Sequence, residues 1–220
     1  MARDHGSRAR LTLRDRDHHT GETLFDRIAR SVCEAECLPR KELFEAWEVA
    51  RRVRRRMRGG RVVDLCAGHG LLAHLLLVLD DTSPEALAVD PVTPPSAAKL
   101  AEVLCRSWPR LVGRVQRLEG PLEAAPIGPG DLVVSVHACG ALTDRVLDVA
   151  IARRCRVAVL PCCHDVKRSE TGGLTGWLDG PLAVDVARAE RLRAAGFEVH
   201  TQTIPAEITP QNRLLIAAPR

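Results

Sequence analysis

A short turn of small residues carries the clearest chemical signal in this 220-residue sequence. It reads Val62-Val-Asp-Leu-Cys-Ala-Gly-His-Gly70, in which an apolar run enters the turn and a second apolar run follows it. Gly68 and Gly70 let the backbone approach a ligand closely, and the free amides of a following helix then face that ligand. Asp64, at the mouth of the turn, repels a pyrophosphate and attracts a cation. The pattern predicts a site for a positively charged ligand.

Two ligand classes fit the glycine spacing. Gly68, Gly70 and Ala73 match the relaxed dinucleotide-binding pattern, so a nucleotide-type oxidoreductase stays open. Asp64 favours S-adenosylmethionine (SAM) instead, because the amino-acid end of SAM carries an ammonium and a sulfonium. Asp90 ends the next apolar run, where a carboxylate can accept hydrogen bonds from both ribose hydroxyls. The predicted SAM site comprises Asp64, Cys66, Ala67, Gly68, His69, Gly70 and Asp90.

Histidines and cysteines follow two later apolar runs. One run closes with Ser135-Val-His-Ala-Cys139, and the next closes with Leu160-Pro-Cys-Cys-His164. The carboxyl ends of parallel strands meet at one edge of a sheet, and ligands bind there. These side chains are therefore predicted to form the acceptor side of the site, with the candidate catalytic residues His137, Cys139, Cys162, Cys163 and His164.

Two catalytic chemistries fit these residues. His137 or His164, with Asp165 alongside, could remove a proton from a hydroxyl or an amine near neutral pH. Alternatively, Cys139 and one of the paired cysteines could serve methylation at a pyrimidine C5, which requires a thiol to add to the base first. A packing role for the thiols also stays open, since free cysteine is among the most buried residue types.

Metal binding is a third alternative for the cysteines. Cys162, Cys163 and His164 are adjacent, and Cys33 and Cys37 lie one helical turn apart. Four such ligands would satisfy zinc if the N-terminal segment folded over them. The spacing of Cys33 and Cys37 differs from the two-residue spacing usual in zinc knuckles, so we predict no metal site.

The elements that must position these residues alternate along the chain. Strands alternating with helices predict an α/β fold, a mainly parallel sheet covered by helices on both faces. Only eight residues separate the last two strands, which favours an antiparallel hairpin. The predicted strands span residues 61–66, 87–90, 115–118, 131–136, 157–160, 197–203 and 212–218, and the predicted helices span 23–37, 40–57, 71–79, 96–108, 141–153 and 185–195.

Three segments are predicted: a flexible polar start over residues 1–20, a helical arm over 21–60 and the catalytic domain over 61–220. The basic excess of the chain lies in the first two segments, and the run from Arg51 to Arg58 carries six arginines. Such a helix could neutralise several RNA phosphates, although a solvated face is the alternative. No aromatic residue interleaves with the arginines, so any RNA contact is predicted to be led by phosphates.

The acidic and glycine pattern, with strands in this order, resembles the class I SAM-dependent methyltransferases. The resemblance implies a Rossmann-like seven-stranded sheet whose last strand is antiparallel. It also implies SAM lying over the carboxyl ends of the first strands, with Glu119 near the adenine.

Three further motifs are similar to one group within that class. They are His137-x-Cys-Gly-x-x-Thr-Asp144, Pro161-Cys-Cys-His164 and Ile208-Thr-Pro-Gln-Asn-Arg213. This group includes the eukaryotic tRNA 2′-O-methyltransferase acting in the acceptor stem and the glutathione S-transferase C-terminal domain-containing proteins. The resemblance covers residues 38–218 and implies an RNA oxygen or base atom as acceptor. This chain lacks the Cys/His-rich zinc-finger segments of the tRNA enzyme.

The amino-acid composition limits the classes of protein to which this chain can belong. Hydrophobic residues make up 45% and charged residues 27%, which argues for a globular chain. No apolar run reaches the length of a membrane span, and the polar start predicts no secretory signal. The eight cysteines are then predicted to be thiols in the cytoplasm. The sequence thus predicts a SAM-dependent methyltransferase, with a small-molecule methyltransferase, a non-catalytic SAM-fold binding module and an NAD-type oxidoreductase as alternatives.

Overall fold

The structure is a computed structural model that describes residues 5–220. It is an α/β fold in which strands and helices alternate after two N-terminal helices. Short 3-10 helices lie at Leu13–His18, Pro109–Leu111, Leu122–Ala124 and Leu174–Gly176. The main elements are α1 (Leu24–Ala35), α2 (Arg40–Arg56), β1 (Val62–Leu65), α3 (Leu71–Leu79), β2 (Ala86–Asp90), α4 (Ala97–Ser107), β3 (Val115–Glu119), β4 (Leu132–Ser135), α5 (Ala141–Arg153), β5 (Arg156–Val159), α6 (Gly180–Ala194), β6 (Phe197–Thr203) and β7 (Arg213–Pro219).

All seven strands form one sheet in the order β3-β2-β1-β4-β5-β7-β6. Strands β1 to β5 pair in parallel, and β7 runs antiparallel to both β5 and β6. The predicted Rossmann-like sheet with an antiparallel last strand is confirmed. Because β1 lies between β2 and β4, the turn after β1 opens where the chain order reverses, which is the usual ligand position in such sheets.

Alternate residues of each central strand face two separate apolar cores. In β1, Val62 packs on the side of α1 to α4, and Val63 packs on the side of α5 and α6. Helix α3 is buried over nearly its whole length, because α2 and α4 pack against it in addition to β1 and β2. This explains why its sequence is apolar all round. Within residues 5–220 no helix is both long and apolar enough to cross a bilayer.

The N-terminal arm shares the first of these cores. Ile28 of α1 and Leu43 of α2 are fully buried in it, so α1 and α2 form part of one helical layer with α3 and α4. The structure differs from the predicted flexible start in the described part of residues 1–20. Leu11 is 1% exposed, and its amide donates to the Leu38 carbonyl at 2.9 Å. An apolar side chain and backbone hydrogen bonds therefore hold this segment against the arm.

The basic run at the end of α2 is mostly paired within the domain. Arg51 and Arg52 contact the Glu48 carboxylate, and Arg54 is buried against Asp80 at 3.1 Å. In contrast, Arg55 and Arg56 are exposed, and neither forms an ion pair with an acidic side chain among residues 5–220. The predicted basic face is thus smaller than the sequence suggests.

Candidate active site

A cavity of about 570 Å³ lies at the carboxyl end of the central strands, a volume typical of small-molecule sites. The turn after β1, the end of β2, the segment after β4 and the start of α2 all contribute to its walls. Its lining residues are Leu38, Glu42, Ala46, Asp64, Cys66, Ala67, Gly68, His69, Leu71, Leu72, Val89, Asp90, Pro91, Pro94, Pro121, Leu122, Val136, His137, Leu142 and Arg145.

Both predicted acidic residues, Asp64 and Asp90, line this cavity. The Asp90 carboxylate organises the glycine turn, because its Oδ2 accepts from the Gly68 amide at 2.9 Å and its Oδ1 accepts from the Val92 amide at 3.2 Å. Each carboxylate oxygen has a further lone pair, so Asp90 can still accept hydrogen bonds from a ligand. The structure therefore brings the two carboxylates to one cleft.

Gly68 and Gly70 have different structural roles in the turn. Gly68 lines the cavity with φ of +50°, and a Cβ built there would meet no atom within 4 Å, so a ligand can approach its backbone. Gly70 has φ of +76°, and a Cβ there would lie 2.9 Å from the Arg117 guanidinium and 3.3 Å from the Ala88 side chain. It does not line the cavity; its role is close packing against β2 and β3. Cys66 holds a positive φ of 58° without being glycine, which marks local strain at the turn.

Asp64 is only 2% exposed, and its Oδ2 accepts from the Ala73 amide at 3.2 Å. Burial raises the pKa of this carboxyl to about 7, and the nearby charge of Asp90 adds to the rise. The Ala73 amide and the positive charge of Arg117 act in the opposite direction. A cation entering the cavity would favour the ionised carboxylate.

The helical arm supplies one wall of the cavity, with Leu38, Glu42 and Ala46. Glu42 was not among the predicted site residues. Burial and the neighbouring Glu45 raise its pKa, while Lys41 lowers it. Among residues 5–220, Arg145 is the only arginine whose side chain lines the cavity, and its Nε donates to the Glu123 carboxylate at 2.7 Å. Three carboxyl groups and one paired guanidinium therefore line the cavity, so its acidic groups outnumber its basic ones.

The other predicted SAM residues lie around the turn. Cys66, Ala67 and His69 line the cavity, and the His69 ring is fixed by Ser96, with Nε2 and Oγ 2.9 Å apart. Glu119 is exposed outside the cavity lining, where its Oε2 accepts from the Thr93 amide at 3.1 Å. It pairs in register with Asp90, one strand away.

Of the five predicted acceptor-side residues, His137 alone lines the cavity. Burial and the charge of Lys41 lower its pKa to about 4, so the imidazole is neutral near pH 7. The other four, all in the described part of the chain, lie beside the cavity rather than in its wall.

Three of those four form a thiol cluster, which we define as Cys139, Cys162 and Cys163. Their sulfurs lie within 4.8 Å of one another, and the Cys139 and Cys162 sulfurs are 2.9 Å apart. The zinc ligand set considered from the sequence is wrong in two respects: Cys33 and Cys37 are buried in the apolar core, 0% and 5% exposed, and His164 does not belong to the cluster.

His164 lies apart from the thiols in a buried polar network. Its side chain is 2% exposed, and its Nε2 lies 2.7 Å from the Asp185 Oδ1. The other Asp185 oxygen accepts from the Arg213 Nε at 2.6 Å. The partner of His164 is therefore Asp185 on α6, and not Asp165, which lies 3.7 Å from Arg168.

The sequence profile of a methyltransferase-domain family matches residues 42–169, more than half of the chain. The chain belongs to this methyltransferase-domain family. The matched segment of the methyltransferase domain begins at the arm wall of the cavity and runs past the thiol cluster. No curated protein sequence matches the chain.

Solved methyltransferase structures share the fold of this methyltransferase domain. The B. subtilis tRNA methyltransferase TrmK is 14% identical with a TM-score of 0.51, over 78% of this chain and 65% of its own. The ribosomal protein L11 methylase from Lactobacillus delbrueckii subsp. bulgaricus is 14% identical with a TM-score of 0.52, over 82% and 78%. An O-methyltransferase family protein from Burkholderia thailandensis is 19% identical with a TM-score of 0.51, over 97% and 65%. At these identities the likeness concerns the fold alone.

Proposed function

We propose that this chain transfers a methyl group from SAM, bound in the cavity, to an acceptor that approaches from the His137 side. The charge of the cavity carries the proposal. Glu42, Asp64 and Asp90 line it together, and its single guanidinium is engaged by Glu123. Such a lining attracts a ligand with a sulfonium and an ammonium, and it repels the two phosphates of a dinucleotide. The SAM assignment and the rejection of an NAD-type oxidoreductase rest on the same argument.

The residues that would hold SAM follow from the cavity walls. Asp90 would accept hydrogen bonds from the ribose hydroxyls, and Asp64 would balance the cationic amino-acid end. Leu122 and Val89 offer apolar surface beside Asp90, suited to a purine ring. When bound, SAM supplies an electrophilic methyl group. Glu119, predicted near the adenine, would need to turn inward from its present contact with the Thr93 amide.

We infer that His137 takes the acceptor proton. Its neutral ring lines the cavity on the side of α2, and a positioned base within reach of the acceptor accelerates transfer to a hydroxyl or an amine. His164 is enclosed by Asp185 and does not line the cavity. We assign it a positioning role, in which it fixes the segment after β5 beside the acceptor side.

The Asp64 carboxyl predicts a pH-dependent affinity for SAM. A cation favours its ionised form, so binding releases a proton below pH 7, and the affinity rises with pH by up to about tenfold per unit before levelling above about pH 7. The folding stability of the free protein changes with pH in the opposite direction. It falls as pH rises from about 4 to about 7, because a buried acid whose folded pKa is raised must ionise over that range. Calorimetry between about pH 5.5 and about pH 7.5, in buffers of different ionisation enthalpy, measures both affinity and proton release.

Other groups near Asp64 require a matched control. Arg117 and Asp90 act on it directly, and Glu42, His69 and His137 line the same cavity. The variant Asp64→Asn should bind SAM more weakly at pH 7.5 and lose most of the pH dependence. An unchanged pH profile in that variant would assign the titration to another of these groups and contradict the role of Asp64.

The acceptor class can be identified by following the methyl group. Purified protein with methyl-labelled SAM is offered total RNA, protein and small-molecule extracts in separate reactions, and we expect label in one fraction, lost in His137→Gln. We propose RNA as the first acceptor to test, with Arg55 and Arg56 as phosphate contacts. These arginines lie 13 or more residues along α2 from Glu42, about 20 Å from the cavity wall, so the RNA would have to span that distance. Label in small molecules alone would reject the RNA acceptor, and label in none would favour a non-catalytic SAM-binding module.

A further inference from the structure

The thiol cluster has a geometry that neither proton transfer nor covalent addition to a base requires. Its three sulfurs come from two segments, one after β4 and one after β5, and all three lie within 4.8 Å of one another. A single covalent nucleophile needs one thiol with at most one partner, and a disulfide uses two. Convergence of three is the arrangement that a thiophilic metal ion uses.

We propose that Cys139, Cys162 and Cys163 bind one Zn²⁺ through their three thiolates, with the fourth position open to solvent. Tetrahedral zinc with bonds of about 2.3 Å holds its sulfurs about 3.8 Å apart. The Cys139 and Cys162 sulfurs, now 2.9 Å apart, need to separate by only about 1 Å to reach that spacing. Cys139 and Cys163 are exposed, so solvent can complete the coordination.

The two segments that carry the thiols are held by contacts outside the cluster. The Gly140 amide donates to the Cys163 carbonyl at 3.3 Å, which ties one segment to the other. Thr143 on α5 donates its hydroxyl to the Ala138 carbonyl, next to Cys139. His164, next to Cys163, is fixed by Asp185. Supports of this kind orient metal ligands before the metal arrives.

The proposed zinc site lies beside the acceptor side of the cavity, where a bound metal ion could contact the acceptor. His137 lines the cavity and lies two residues before Cys139, so a zinc ion at the thiol cluster would border the acceptor side. An open coordination position on zinc polarises a bound oxygen or sulfur atom, as catalytic rather than structural zinc does.

The test uses the reduced full-length chain, prepared without oxygen and stripped of metal. We expect it to bind one equivalent of Zn²⁺, and Co²⁺ in its place should give thiolate charge-transfer bands and the visible spectrum of a tetrahedral site. The double variant Cys139→Ser, Cys162→Ser should lose stoichiometric binding, whereas Cys105→Ser, which removes a half-buried thiol on α4, should keep it. The wild-type cobalt spectrum decides the matter if the double variant fails to fold.

Three results would overturn the zinc site: no stoichiometric metal in the wild-type chain, full binding in the folded double variant, or a Cys139–Cys162 disulfide as the state trapped by alkylation at lysis. SAM affinity is measured on the same samples. The thiols do not line the cavity, so failure of the zinc site with SAM binding intact leaves the proposed function standing.

Discussion

Replacing Asp90 by alanine should weaken SAM binding by about 10²-fold to 10⁴-fold. The carboxylate would accept two hydrogen bonds from ribose, each worth about 1.5–3 kcal/mol when the acceptor is charged. It also holds the Gly68 amide at 2.9 Å, so the turn that approaches the ligand loses its support. Calorimetric titration with SAM measures the loss, and transfer of labelled methyl should fall in parallel.

The ribose assignment has a specific signature. Asp90→Ala should weaken SAM and the uncharged-sulfur product S-adenosylhomocysteine by similar factors, because both carry the same ribose. Asp148→Ala removes an exposed carboxylate of α5 outside the cavity and should leave both affinities within about twofold of wild type. If Asp90→Ala bound SAM like wild type, the carboxylate would have no contact with the donor.

Replacing Asp80 by alanine should destabilise the domain by about 3–5 kcal/mol, because it leaves Arg54 charged, buried and unpaired. Arg54 is 3% exposed and also donates from Nη2 to the Ser83 hydroxyl at 2.8 Å and from Nε to the Leu76 carbonyl at 3.1 Å. Burial alone would raise the pKa of Asp80. Hydrogen bonds from Thr82 and Gly59, with the charge of Arg54, outweigh burial and lower that pKa to about 2.

Asp81 provides the matched control for this prediction. It is the next residue, it also contacts an arginine, Arg110, and its side chain is 76% exposed. Exposed pairs contribute little, so Asp81→Ala should cost less than about 1 kcal/mol. Urea unfolding of both variants at neutral pH compares them directly. Equal decreases in the free energy of unfolding would show that burial does not determine how much these ion pairs contribute to stability.

The sequence predicted the sheet well because each central strand is a short apolar run ended by a turn. All seven predicted strands begin and end within one residue of the observed ones, and the two predicted at 61–66 and 131–136 are each one residue too long at both ends. Helix α6 was predicted to begin at residue 185 but begins at Gly180. Gly180-Pro181 resembles a loop, yet proline suits the first turn of a helix, and Asp179 caps it by accepting from the Leu182 amide at 3.0 Å.

Glu42 in the site and Arg54 in the buried polar network with Asp80 escaped sequence reasoning, because their burial depends on tertiary neighbours. A signal was present for Arg54, which continues the apolar stripe of Leu43, Trp47 and Ala50 at steps of three and four residues. Because arginine is charged, Arg54 was predicted to lie on the basic, solvent-exposed face of the helix. Glu42 likewise lies four residues before the buried Ala46, on a buried stripe of α2. The sequence predicted that Cys139, Cys162 and Cys163 lie at one edge of the sheet, but it could not predict how close their sulfurs come, because the pairing of β4 and β5 sets that separation.

Titration calorimetry of the wild-type chain with SAM and with NAD tests most directly whether the cavity between the β1 turn and Asp90 binds SAM. We predict saturable binding of one SAM per chain, with a dissociation constant between about 1 μM and about 1 mM, and no binding of NAD at the same concentrations. Saturable NAD binding without SAM binding, or no binding of either, would contradict the claim.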